Sequence, residues 1–238
     1  MWKQMTLVGL AATLCLGASC TVRISPDGNG NGDGGGLDGQ PYLDQADASI
    51  IIGQRIGEAT ADVTATITDS LGQPVTLTSD RAVKVNDVSL SGPDADDEFT
   101  ASVDAADQYK IKVVEPTRGI EETVIDTPTD FEITSPADHG AVSLSGFKLK
   151  WSRANSRLQV RIKLSQTFDG TQTRNFGPYT DTGSREFTQE DLTPFGHGGD
   201  LTLSITVTKI NTTNDVNGFN SGTASVRLST TRVARPGP

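Results

Sequence analysis

Beyond Ala48 the chain is written with a period of two. Val63, Ala65 and Ile67 alternate with Thr64, Thr66 and Thr68, and Val83 and Val85 flank Lys84. Phe99, Ala101 and Val103 alternate with Thr100 and Ser102, and Tyr109, Ile111 and Val113 with Lys110 and Lys112. Successive side chains of a strand point to opposite faces, so each run lays one apolar face on a core and one Thr, Ser or Lys face in water. Turn-forming segments separate the runs: DSLGQP at 69–74, SGPD at 91–94 and TRG at 117–119. No helical repeat of three turns follows the first twenty residues. The expected class is all-β, built of short antiparallel strands.

The alternation resumes after a short joint, DTPTD at 126–130. FEITSPADHGAVSLSGFKLKWS predicts two strands around a turn, with Trp151 in phase with Phe147 and Leu149 and therefore in the core. LQVRIKL at 158–164, LTLSITV at 201–207 and ASVRLS at 224–229 predict three more. That tryptophan-ended strand after an early Pro-turn, together with the long-strand, Gly/Asn-turn, last-strand run LTLSITVTKINTTNDVNGFNSGTASVRLS, resembles a fibronectin type III or related immunoglobulin-like domain over 129–233. The resemblance implies a seven-strand sandwich used for spacing and binding rather than for chemistry. Residues 48–127 resemble an immunoglobulin-like unit more loosely. The expectation is two tandem antiparallel β-sandwiches, at 48–127 and 128–233, with a disordered tail at 234–238.

The N-terminal end reads differently. MWKQMTLVGLAATLCLGAS carries one charge, Lys3, and an apolar stretch from Met5 to Leu16. That is shorter than the roughly 20 apolar residues of a membrane span. It fits a signal peptide over 1–19, with small residues Gly17, Ala18 and Ser19 at the cut. The segment before Cys20 resembles the lipobox of bacterial lipoproteins, although Leu16 stands one place further from the cysteine than that family has it. The resemblance implies lipid on Cys20. Cys15 would leave with the signal, so no disulfide can staple the folded part. Between 26 and 40, PDGNGNGDGGGLDGQ offers one apolar side chain, Leu37. Ordering such a tract costs about 1–2 kcal/mol per residue with nothing to bury, so residues 20–47 are expected to form a flexible leash. Residues 21–47 would typically span roughly 30 Å. Asp27, Asn29, Asn31, Gly32 and Asp38 have the opening spacing of a calcium loop, but Glu is missing at the twelfth place and no helices flank it.

Motifs for chemistry are sparse. DTGS at 181–184 has the composition of an aspartic-protease loop, which needs two copies to bring two aspartates together. Only one copy exists, and Asp, Gly and Ser also suit a tight turn. His139 and His197 both lie in glycine-bearing turns, with no nucleophile elbow in the chain. No catalytic residue, metal site or cofactor is expected. The run Asp94, Asp96, Asp97 and Glu98 has the oxygen ligands of a calcium loop and equally the composition of a solvated loop. Phe168, Phe176, Tyr179 and Phe187 either form an exposed ligand edge or cap the second core.

Twenty Lys and Arg against thirty Asp and Glu leave a formal charge of −10. No basic stretch marks a nucleic-acid binder, so that class is rejected. The expected protein is a monomeric, non-catalytic lipoprotein of the bacterial cell envelope, anchored to the outer membrane or cell surface rather than the inner membrane. Its expected partners are the membrane, through the lipid, and an unidentified protein or glycan. The alternative is an accessory carbohydrate-binding or hydrolytic envelope protein.

Overall fold

The computed structural model describes residues 42–168 and 170–237. Cys20, the signal segment and the glycine-rich tract with its Asp27–Asp38 spacing lie outside the described residues. Those residues form an all-β, sandwich-like fold of three sheets. The first seven strands are β1 (Asp47–Arg55), β2 (Thr60–Thr68), β3 (Ala82–Val85), β4 (Val88–Ser89), β5 (Phe99–Asp104), β6 (Gln108–Glu115) and β7 (Gly119–Asp126). The rest are β8 (Ile133–Ser135), β9 (Gly140–Ser143), β10 (Gly146–Trp151), β11 (Gln159–Thr167), β12 (Thr171–Thr180), β13 (Ser184–Thr188), β14 (Leu203–Thr213) and β15 (Ser221–Gly237), with one helical turn, α1 (Gln189–Leu192).

Two sheets are small, ordered β4-β3-β6-β7 and β13-β10-β8. The third is long, ordered β12-β11-β14-β15-β1-β2-β5, with β9 added to the end of β15. The inward residues of β1, β2, β5, β3 and β6, among them Ile52, Ile67, Phe99, Val85 and Ile111, share one buried cluster. Leu149, Trp151, Val160, Leu164, Leu203 and Val207 belong to a second. The phase read from the sequence holds at Trp151, which is 6 % exposed.

The two cores are joined through β15. Its first half pairs in parallel with β1, from Asp47 opposite Ser221 to Arg55 opposite Ser229. Its other side pairs antiparallel with β14, and its end pairs in parallel with β9. Ala224 and Val226 therefore face the first core, while Leu228 and Ala234 face the second. The turn between β14 and β15 also reaches the first core. Val216 is 1 % exposed there, and Asn217 caps β7 by donating its backbone N–H to Thr123 Oγ1 (2.8 Å) and its amide to the Glu122 carbonyl (2.9 Å). Gly218 has φ +91° and sits so close to Val113 that an added Cβ would lie 2.8 Å from its side chain.

Two expected boundaries move. Residues 42–47, read as the end of the leash, are part of the fold. Leu43 is fully buried, and its N–H donates to the buried Glu115 carboxylate (2.6 Å), which faces Arg81 at 3.5 Å. At the other end, 234–237 are strand rather than disordered tail. Ala234 is fully buried, because β9 supplies those residues with a hydrogen-bonding edge that the local sequence does not announce.

Candidate functional site

The DTGS segment links the end of β12 to the start of β13, the edge strands of the two sheets around the second core. Asp181 is 1 % exposed. Its Oδ1 accepts from Trp151 Nε1 (2.7 Å) and the Gly183 N–H (3.2 Å), and its Oδ2 from the Asn155 N–H (3.1 Å). Lys209, on the inward face of β14 and also 1 % exposed, brings its ammonium to 3.0 Å from Oδ2. The same ammonium donates to the Ser152 carbonyl (3.2 Å) and the Arg153 carbonyl, and lies 4.7 Å from the centre of the Phe131 ring. All three of its protons have acceptors. A buried ion pair persists only with such complete hydrogen bonding, since the loss of water is otherwise uncompensated. Among the described residues no second carboxylate touches Asp181, so the geometry of a shared-proton dyad is absent. The turn expected from DTGS is present, and the carboxylate inside it anchors Trp151 and Lys209.

Outside this anchor the two edge strands leave a groove of about 350 Å³, bordered by Tyr179, Thr182, Ser184 and Arg185. Three of the four aromatics singled out in the sequence meet here. Phe187 is buried, Phe176 half-buried and Tyr179 39 % exposed. The Phe176 and Phe187 rings pack edge to face at 5.0 Å. The Arg185 guanidinium lies 4.5 Å from the Tyr179 ring centre, 5.2 Å from that of Phe176 and 5.3 Å from that of Phe187. Cation–π attraction of this kind is worth about 0.5–2 kcal/mol per good pair. Arg185 is also 3.9 Å from Asp191, whose carboxylate closes the capping box of α1 with Thr188. Phe187 and the half-buried Phe176 thus belong to the second core, while Tyr179 stays exposed beside them, with Arg185 against all three rings. Phe168 stands apart, 57 % exposed on the turn after β11, beside the loop that Gln166 holds through the Gly196 N–H (2.7 Å) and carbonyl (3.0 Å).

The acidic run is closed on itself. Asp94 Oδ1 accepts from the Asp96 N–H (2.9 Å) and the Glu98 N–H (3.0 Å), so the carboxylate is bound to its own turn. Among the described residues no three His, Cys, Asp or Glu side chains converge as metal ligands. His139 is exposed with Nδ1 3.2 Å from Asp138 Oδ2, and His197 is exposed on its glycine-rich loop. What sequence reading missed is Lys209. It lies in the strand LTLSITVTK, and only its place on the inward parity with Leu203, Ile205 and Val207 betrays it. No family model matches this chain, and no curated protein matches it either.

Proposed function

We propose that this protein is a non-catalytic lipoprotein of the bacterial envelope, acting as a monomer and held to a membrane through Cys20, with its two sandwiches displayed as a binding, adhesion or scaffold module. The observation that carries the reading is the shared strand β15, which runs through both halves and contributes to both cores. Two sandwiches joined by nine paired positions and a plugged hairpin resist bending at the 126–130 joint, which suits a spacer. The immunoglobulin-like and fibronectin type III-like identity is supported by strand order. β1-β2-β5 stands with β4-β3-β6-β7, and the second half repeats that order as β8-β10-β13 with β12-β11-β14-β15. Tyr109 adds to it. Its buried hydroxyl accepts from the Ala106 N–H three residues upstream (3.2 Å) and donates to Gln54 (2.7 Å), as a tyrosine corner does in such domains.

The hydrolytic alternative draws less support, because Asp181 is enclosed by four donors and faces no cleft. The aromatic-platform form of the alternative also weakens, since Phe176 and Phe187 are covered and Phe168 is remote from Tyr179. The decisive experiment is expression of the full chain in a bacterial host, followed by fractionation and mass spectrometry. The wild type is expected in the membrane fraction with acyl mass on Cys20. Cys20→Ala is expected to be unprocessed or released. An unmodified Cys20 in the mature wild type overturns the anchor.

A further inference from the structure

On its solvent side the long sheet bears a groove across β11, β14 and β15, with a cavity of about 680 Å³ opening into a second of about 400 Å³ toward β12. The two share Lys163, Thr206 and Thr208. Strand register sets the pattern. Arg161 lies level with Thr208 and Ser229, Lys163 with Thr206 and Thr231, and Arg227 with Ile210 one row further on. Arg161 and Lys163 are thus about 7 Å apart along one strand, and Arg227 stands two strands and one row away, about 12 Å from Arg161. Between them the hydroxyls are already oriented, with Thr206 and Thr231 bonded at 2.9 Å.

Three features mark this face of an acidic chain. None of Arg161, Lys163 and Arg227 forms an ion pair among the described residues, whereas Lys110, Lys112 and Lys148 on other faces each do. The one cation of the groove that is paired, Arg55, binds Glu58 at its rim (3.4 Å). Arg227 Nε is buried without a hydrogen-bond partner. Burial, and then the neighbouring Arg161 charge, push the Arg227 guanidinium below the usual arginine range. A like-charge pair beside an unmet donor is relieved by an anion placed between them.

We infer that this groove binds an acidic polysaccharide, whose carboxylates or sulfates meet Arg161, Lys163 and Arg227 while its hydroxyls exchange hydrogen bonds with the Ser and Thr rows between. The hydroxyl rows argue for a hydroxyl-rich chain. Phe176 is the one aromatic residue lining the groove, and its ring is half-buried against Phe187 and Arg185, so bases would find no row of exposed rings to stack on. Its other apolar lining, Ile56, Ile162 and Ile210, is interleaved with Ser, Thr, Lys and Arg rather than gathered into a face that enters a bilayer. The inference rests on reading the chain as a binding module and is independent of the anchor, since membrane fractionation reports on Cys20 and polymer binding on the groove.

The test is binding of the full chain to polygalacturonate and to dextran sulfate, the carboxylate and sulfate sources, with neutral dextran as control. Binding to at least one acidic polymer is expected, weakening as salt rises. Arg161→Gln/Lys163→Gln/Arg227→Gln should weaken it at least about tenfold, the loss of one charge-assisted bond. Arg161→Gln/Lys163→Gln, confined to exposed side chains, should weaken it too and keeps the test valid if the triple variant misfolds. Lys84→Gln/Lys110→Gln/Lys112→Gln removes equal charge from another face and should leave affinity within about threefold. No binding to either acidic polymer, equal losses in both triple variants, or tighter binding to duplex DNA or to anionic vesicles would each overturn the proposal.

Discussion

The two cores are unequal in what they own. Among the described residues, every buried member of the second comes from 131–234, and from the first half it takes only the partly buried Ile56. The first takes Val216, Ala224 and Val226 from the β14–β15 hairpin, and Phe219 packs against it. Its strand β1 has partners on both sides only because β15 is present. The two halves share a strand order and differ in dependence: the second is self-contained, and the first is finished by its neighbour. The β14–β15 hairpin runs on past the second core, and that extra length is what completes the first.

Separating the halves is the harshest way to break this comparison. Residues 128–238 alone are expected to unfold cooperatively in urea, and residues 42–127 alone to show no cooperative transition. Each buried valine forfeited is worth about 1.5–3 kcal/mol against a total stability of about 5–15 kcal/mol. A cooperative 42–127 fragment would erase the asymmetry. Next in size is Lys209→Met, which leaves Asp181 buried beside no cation. It should cost about 3–5 kcal/mol in chemical denaturation, and because the first core leans on β15, both halves should melt together at the lower midpoint. Separate transitions would mean that the first core stands without the second.

A smaller lesion sharpens the dependence from the other side. Val216→Ala removes part of the hairpin's contact with the first core and should cost about 1–2 kcal/mol, a fraction of a full valine burial, read as faster hydrogen exchange in β6 with β11 unchanged. The smallest effect sits on the outer face of the first half. Lys112, hydrogen-bonded to Asp87 at 2.6 Å, holds that carboxyl below its usual range. A depressed folded pKa contributes stability above the unfolded value, lost as pH falls through the folded one. Lys112→Gln should therefore raise the Asp87 titration midpoint seen by NMR, with little change in melting temperature. An unmoved midpoint would remove the pair from the account.

Strands that face a core on one side and water on the other were legible. β2, β5, β6, β11 and β14 read correctly from alternation, and Trp151 fell on the expected side. Strands that bury little were not. β12 contains no buried residue, and its sequence TQTRNFGPYT has no apolar period. β7 turns Ile120 and Val124 outward, to 67 % and 44 % exposure, and so hides its inward Ile125. In β1 the run SIIIG is apolar at three consecutive places, because Ile51 lies on a face that the neighbouring strands half-cover. Of the candidate site, the aromatic cluster was visible as a cluster, but Arg185 was not visible as what covers it.

By itself the sequence determined the class of this protein: β period, turn chemistry, and cores that must stand without disulfides. These are local properties, carried by neighbours two residues apart. Only the tertiary structure decided that β15 spans both cores, that Lys209 and Asp181 meet 28 positions apart in the chain, and that Arg161 and Arg227 share one face. Each of these depends on which strands pair and in what register. Register is set by burial summed over a whole sheet, and no short stretch of sequence contains that sum.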